Sequence, residues 1–184
     1  GRVDLEGELH AGRIERVERT ALPAVTPTEK GPTVLLDVGA TPDCKPLHLA
    51  QFAVMGSVYS RELLQHPKPR VGVLSNGTEE SKGTDLTRDA ARLCGQLDLN
   101  FIGYVEGHDL FIGQTDVVVC DGFVGNVVLK TTEGVAHAIG YWMKQEFFRH
   151  PMRVLGALLL KGALNTMKAR MDPEIYGGAP LLGV

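Results

Sequence analysis

Three polar, glycine-bearing loops, residues 37–43, 76–83 and 121–126, carry the residue types in this chain that can do chemistry. In Asn76-Gly77-Thr78-Glu79-Glu80-Ser81-Lys82-Gly83 two glycines permit close backbone approach. Lys82 adds a mobile cation, and Asn76, Thr78 and Ser81 add neutral hydrogen-bonding groups. Such a loop suits an anion. The Walker A spacing is absent, so a nucleoside triphosphate is not indicated. The same composition also makes an ordinary solvated turn. In Asp121-Gly122-Phe123-Val124-Gly125-Asn126-Val127-Val128-Leu129-Lys130 a long helix is expected to begin, and free N–H groups at a helix start favour negative charge. Asn126 can donate its amide to an oxyanion; it can equally be a plain N-cap, with Lys130 an exposed side chain. The loop opening Asp37-Val38-Gly39-Ala40-Thr41-Pro42-Asp43-Cys44 holds two aspartates and a proline turn but no evident nucleophile, and Cys44 reads as a spectator.

Each loop follows a short, nearly continuous hydrophobic run: residues 33–36, 70–74 and 117–120. Runs of this kind fit strands covered on both faces of a parallel sheet. Ligands of such sheets bind outside the carboxyl ends of the strands, so loops distant in sequence should meet there. Pro46 should open a helix reaching about residue 66, with Leu49, Phe52, Ala53 and Gly56 inward. A second helix is expected over about residues 85–97, capped by Thr84 or Asp85, and a third over about residues 125–149. Residues 100–105 read as a further strand. The resulting order, βαβαββα, predicts an α/β fold, a three-layer sandwich around a mostly parallel sheet, as one domain over residues 1–184. Residues 1–30 mix charge, glycine and proline without a period and suggest the start of a fragment rather than a native terminus.

At 184 residues, 43% of them hydrophobic, the chain can bury a substantial core. Asp and Glu outnumber Lys and Arg by 22 to 19, and no basic run interleaves with aromatics, which argues against nucleic acid. The three cysteines are widely separated without metal-ligand spacing, so a reduced, cytoplasmic protein is expected. No metal site and no cofactor are expected. Histidines 108, 137 and 150 lack a Ser or Cys partner, and the adjacent Glu79 and Glu80 fit a solvated loop better than a general-base pair.

Taken together, Leu36-Asp37-Val38-Gly39-Ala40 with Asp43 and Lys45-Pro46, Ser75 through Gly83, and Asp121-Gly122-Phe123-Val124-Gly125-Asn126 closely resemble the phosphate acyltransferase (PlsX) family of bacterial phospholipid synthesis. Phe52-Ala53-Val54-Met55-Gly56-Ser57 and Tyr176-Gly177-Gly178-Ala179-Pro180 through Gly183 add to the resemblance, which covers about residues 15–184. It implies an isocitrate/isopropylmalate dehydrogenase-like fold and a homodimer. It also implies transfer of an acyl group from acyl carrier protein to inorganic phosphate, giving an acyl phosphate for glycerol 3-phosphate acylation. By the same resemblance this chain is the carboxyl-terminal portion of the family fold, lacking an Asp-Ala-Met-Gly-Gly-Asp start and a His-Gly-Ser segment after Val184. With the loop chemistry it makes Lys82 and Asn126 the expected catalytic groups. Asp37, Gly39, Asn76, Gly77, Glu79, Gly83, Asp121, Gly122, Phe123, Gly125 and Lys130 are the expected phosphate- and substrate-binding set.

A helical hairpin is expected over about residues 140–171, broken at His150-Pro151, with Met152, Leu155, Leu159, Ala163 and Met167 on one stripe among Arg153, Lys161, Lys168 and Arg170. Met152, Leu155 and Leu159 are candidate contacts with an anionic membrane surface, an association the resemblance also implies. A dimer-packing or core helix would show the same pattern. The downstream glycerol-3-phosphate acyltransferase is a further expected partner. Two other readings remain: an acetyl- or butyryltransferase using a coenzyme A thioester, and a non-catalytic membrane-associated binding module.

Overall fold

The computed structural model describes residues 2–3, 9–10, 17–79, 81–171 and 180–183. Glu80, residues 176–179 and the side chains of Lys168 and Arg170 lie outside what it describes.

Among the described residues seven strands and five α-helices follow one another as β1 (Arg2–Val3), β2 (Leu9–His10), β3 (Pro23–Thr28), β4 (Gly31–Leu36), α1 (Pro46–Leu63), β5 (Arg70–Leu74), α2 (Asp85–Cys94), β6 (Asn100–Val105), β7 (Val117–Val119), α3 (Gly122–Phe148), α4 (Pro151–Leu159) and α5 (Lys161–Met171). A 3₁₀ turn, Asp109–Phe111, lies between β6 and β7. The main sheet has the order β3-β4-β7-β5-β6. β4, β7, β5 and β6 are parallel, and β3 returns antiparallel to β4. The expected α/β fold with a mostly parallel sheet is therefore present.

Alternation of side chains along the central strands divides the core into two halves. Val34, Leu36, Val71, Val73, Val117 and Val119 face α1 and α2, where Leu49, Phe52, Ala53 and Ala90 meet them. Gly56 of α1 permits this approach, since a Cβ there would lie 2.6 Å from Val117 Cγ1. Leu35, Leu74, Val105 and Val118 face the opposite side, covered by Leu110 of the 3₁₀ turn and by Val128 and Leu129 of α3. That second cover is thin. Of the 27 residues of α3 only Gly122 and Gly125 are buried.

Several boundaries differ from the expected ones for local reasons. Strand β3 falls in the segment that shows no period in sequence, because Pro23 and Pro27 suppress the strand signal. It is nevertheless regular. The Val34 N–H turns away from β3 to Asp116 O (2.9 Å), so Val25↔Val34 is a non-hydrogen-bonded pair, as Pro27↔Pro32 and Pro23↔Leu36 then also are. Both prolines of β3 thus lack an N–H only where it would face the outer edge. Helix α2 stops at Cys94, before Gly95, rather than continuing to residue 97. Helix α3 begins at residue 122 rather than about 125, with Asp121 as N-cap. The stretch after Pro151 is two helices, parted at Leu160, so the stripe from Met152 to Met167 is divided.

At the amino edge of the sheet Asp116 binds Arg70 through three bonds. The Arg70 N–H and Nε donate to Oδ2 at 2.7 and 2.9 Å, and Nη2 donates to Oδ1 at 2.8 Å. Burial pushes the Asp116 carboxyl up, but the Arg70 bonds and the nearby His66 hold it below the usual carboxylate range. A depressed folded-state value contributes stability above the unfolded value near 4 that is lost as pH falls through the folded one. Stability of the chain in urea should therefore decline below about pH 4, and the decline should be shallower in Asp116→Asn.

Candidate active site at the carboxyl edge of the sheet

The strand order puts the three glycine-bearing loops side by side, because β7 lies between β4 and β5. At a strand spacing of roughly 4.8 Å, the ends of β4 and β5 are about 10 Å apart, with the start of α3 between them.

The Asp37 carboxylate organises the first loop. It is 0% exposed. Its Oδ1 accepts the N–H groups of Leu22 (2.8 Å), Gly39 (3.1 Å) and Ala40 (2.9 Å), and its Oδ2 that of Thr41 (2.6 Å). The carboxylate therefore shapes the loop from inside. The third loop is fitted against it. The Gly122 N–H donates to Thr41 O at 2.9 Å. A Cβ on Gly125 would lie 1.8 Å from Asp37 O, and one on Gly122 would lie 2.8 Å from Asp37 Oδ2. Neither position admits a side chain, which explains two glycines in the first turn of a helix despite their poor helix propensity. Gly39, at φ +142, is exposed and faces this turn: a Cβ there would lie 4.0 Å from Asn126 Cβ. The first loop and Asn126 are thereby neighbours.

Asp121 Oδ1 accepts the Val124 N–H at 2.9 Å, so Asp121 rather than Asn126 is the N-cap. Asn126 lies one turn into α3, exposed, with its amide not committed to ending the helix. With the Gly122 and Val124 amides engaged, part of the positive end of α3 is already used within the chain. Phe123 is 66% exposed beside it. Lys130, one turn further along, pairs with Glu133 at 2.8 Å.

The second loop is folded back on itself. Asn76 Oδ1 accepts the Gly83 N–H at 2.7 Å, and Gly83 has φ +83. The Lys82 stem crosses Gly77, where a Cβ would lie 2.7 Å from Lys82 Cγ, and its ammonium lies 3.7 Å from Glu79 Oε2. Thr84 caps α2 by accepting the Thr87 N–H at 3.3 Å. Among the described residues no bond joins this loop to the other two; adjacency of strands alone associates them. Met152, Leu155 and Leu159 stand far along the chain on α4, all exposed, with Leu159 at 81%.

The thiols are poor nucleophiles. Burial first, then the charges of Asp121 and Asp37, push Cys44 up to about 12 and Cys120 well above its ordinary value; burial alone pushes Cys94 to about 11. At neutral pH all three are thiols, not thiolates. Thr41 and Ser75 carry no signal of an individual role in the sequence. Thr41 joins two loops through its backbone, which no side-chain pattern could announce.

A family model described as fatty acid synthesis protein matches residues 3–184. The chain belongs to this family. Among its relatives, the phosphate acyltransferase of Pelobacter propionicus is 53% identical over 172 residues, or 94% of this chain and 50% of that protein. The phosphate acyltransferase of Syntrophotalea carbinolica is 52% identical over the same shares. The chain spans about half the length of the curated relatives it matches. In fold it is similar to the EutD phosphotransacetylase from Staphylococcus aureus, with TM-score 0.55 and 18% identity over 68% of this chain and 44% of that one. A phosphotransacetylase from Streptococcus pyogenes gives TM-score 0.55 at 19% identity over the same shares.

Asp37→Asn would set an amide NH₂ against one or more of the backbone donors. We expect it to destabilise the chain by about 2–4 kcal/mol, read as a lower urea midpoint. In the native state all three cysteines should react with Ellman's reagent at pH 8 far more slowly than after denaturation.

Proposed function

We propose that this chain carries a phosphate site of an acyltransferase that converts an acyl-acyl carrier protein and inorganic phosphate into an acyl phosphate. The observation that carries the reading is the junction of the Asp37 loop with the glycine-opened start of α3 and Asn126, beside the Lys82 loop, in a member of this family. A phosphate oxygen attacks the thioester carbon, a C–O bond forms, the C–S bond breaks, and the proton of hydrogen phosphate passes to the departing thiolate. The protein's work is to hold the polyanion and stabilise the oxyanion developing on the carbonyl oxygen.

In this reading Lys82 exchanges Glu79 for phosphate, and the Asn126 amide donates to the oxyanion or to a phosphate oxygen. Asn76, Gly77 and Gly83 shape the Lys82 loop. Asp37, Gly39, Asp121, Gly122 and Gly125 hold the Asn126 turn in place, with Phe123 and Lys130 at its rim. The cysteines held as thiols fit direct attack by phosphate, without an acyl-enzyme. Relatives at 52–53% identity bear the name phosphate acyltransferase, which supports transfer of an acyl group to phosphate.

The hairpin supports a second element of the reading, a homodimer that rests on a membrane surface and hands its product to a glycerol-3-phosphate acyltransferase. Trp142, Phe148, Met152, Leu155, Leu158 and Leu159 are all exposed, and large apolar side chains gathered along one hairpin favour a covering surface. Among the described residues no helix is long and apolar enough to cross a membrane.

Phosphate-dependent release of carrier-protein thiol from a long-chain acyl carrier protein, measured on the full-length protein, tests the chemistry. Asn126→Ala should lose about two to three decades in kcat while folding normally, as expected for loss of one oxyanion donor. Lys82→Ala should abolish turnover. A folded Asn126→Ala variant with a near-normal rate would remove that residue from the mechanism. Flotation with anionic vesicles at low salt tests the hairpin: Leu155→Asp with Leu159→Asp should leave the protein at the bottom of the gradient.

A further inference from the structure

Ser75 lies immediately after β5, at the carboxyl edge of the sheet, and leads into the Lys82 loop. Its backbone is fixed, the N–H donating to Val105 O at 2.9 Å. Its hydroxyl is not. Oγ is inaccessible to solvent, and among the described residues nothing donates to it or accepts from it. A serine hydroxyl rotates freely and offers one donor and two acceptor sites, so an orphan means that no partner is within reach in any rotation. Buried orphans of this kind are uncommon in folded proteins and mark a bound water, an ion or a functional group waiting for its ligand.

The direction of the hydroxyl identifies what it waits for. The Cβ position of Gly83 lies 3.1 Å from Ser75 Oγ and 2.3 Å from Thr87 Oγ1, so the hydroxyl points to the underside of the loop where Gly83 closes it. The Lys82 stem presses on Gly77, and among the described residues its ammonium pairs with the exposed Glu79 at 3.7 Å. An exposed pair at that distance is weak and readily exchanged. A hydroxyl without a partner thus lies beneath a loop whose one lysine has a partner it can give up.

We propose, building on the acyltransferase reading, that Ser75 is a phosphate-binding residue of the site. When phosphate replaces Glu79 as the partner of Lys82, the loop lifts from Ser75 and the hydroxyl donates to a phosphate oxygen. Lys82–Glu79 and the Asn76–Gly83 bond hold the loop in its present shape.

The test is phosphate KM in the full-length protein at saturating long-chain acyl carrier protein. Ser75→Ala should raise the KM for phosphate about tenfold, the scale of one hydrogen bond to a charged group. Its kcat should stay within about twofold of the parent, because the bond holds ground and transition states alike. Ser75→Cys, similar in size but a poor donor, should show the same rise, and the thermal midpoint of Ser75→Ala should hold or increase as the orphan hydroxyl disappears. An unchanged KM in Ser75→Ala overturns the proposal; if the midpoint also drops, the hydroxyl serves an internal water. A parental KM in Ser75→Cys overturns it too, since volume rather than the bond would then matter. Absence of phosphate-dependent turnover in the parent defeats the acyltransferase reading separately. In that event ³¹P line broadening of inorganic phosphate by the parent, undiminished in Ser75→Ala, would still overturn the role of Ser75.

Discussion

The structure turns on one buried carboxylate that, among the described residues, has no cation beside it. Burying a charged carboxylate is costly unless its oxygens are fully hydrogen-bonded, and Asp37 meets that requirement with four backbone N–H groups drawn from Leu22, Gly39, Ala40 and Thr41. Three constraints follow. The chain entering β3 is tied to the end of β4, the loop after β4 is wound to one shape, and Thr41 O is aimed at the first N–H of α3. The position of Asn126 is thus a consequence of Asp37, several bonds removed.

This arrangement resolves an apparent conflict in the anion site proposed above. Asp37 and Asp121 bring two carboxylates to the carboxyl edge, and their charges are felt by Cys44 and Cys120. Yet the bonds they accept come from the chain's own N–H groups, which compensate their charge locally. What the loops turn outward is the Asn126 amide and the Lys82 ammonium. The negative groups act as internal fasteners, and the groups left for a ligand are neutral donors or cationic.

How much of this was legible depended on whether the information was local. The runs Arg70–Leu74 and Asn100–Val105 are recognisable because hydrophobicity and β-branching persist along them, and Pro46 and Thr84 mark their helix starts directly. The start of α3 reads late because Gly122 and Gly125 argue against helix in isolation; only contact with Asp37 and Thr41 accounts for them. The break at Leu160 has no proline or glycine at the joint to announce it. The direction of a side chain is the hardest property to read: Asp37 looks like a ligand group in sequence and faces its own backbone, while Ser75 looks like a turn residue and ends without a partner.

The prolines of β3 limit what can be added to this fold. With Pro23 and Pro27 both presenting a ring where an outward N–H would stand, the margin of the sheet offers too few donors to template another strand. Whatever covers the apolar groove lined by Ala24, Val25, Ala136, Phe147 and Leu158, between β3 and the hairpin, must therefore rely on side-chain packing. An extended peptide cannot zip onto it, and neither can the same edge of a second molecule. The sheet is closed to growth on that side even though its neighbouring surface invites company.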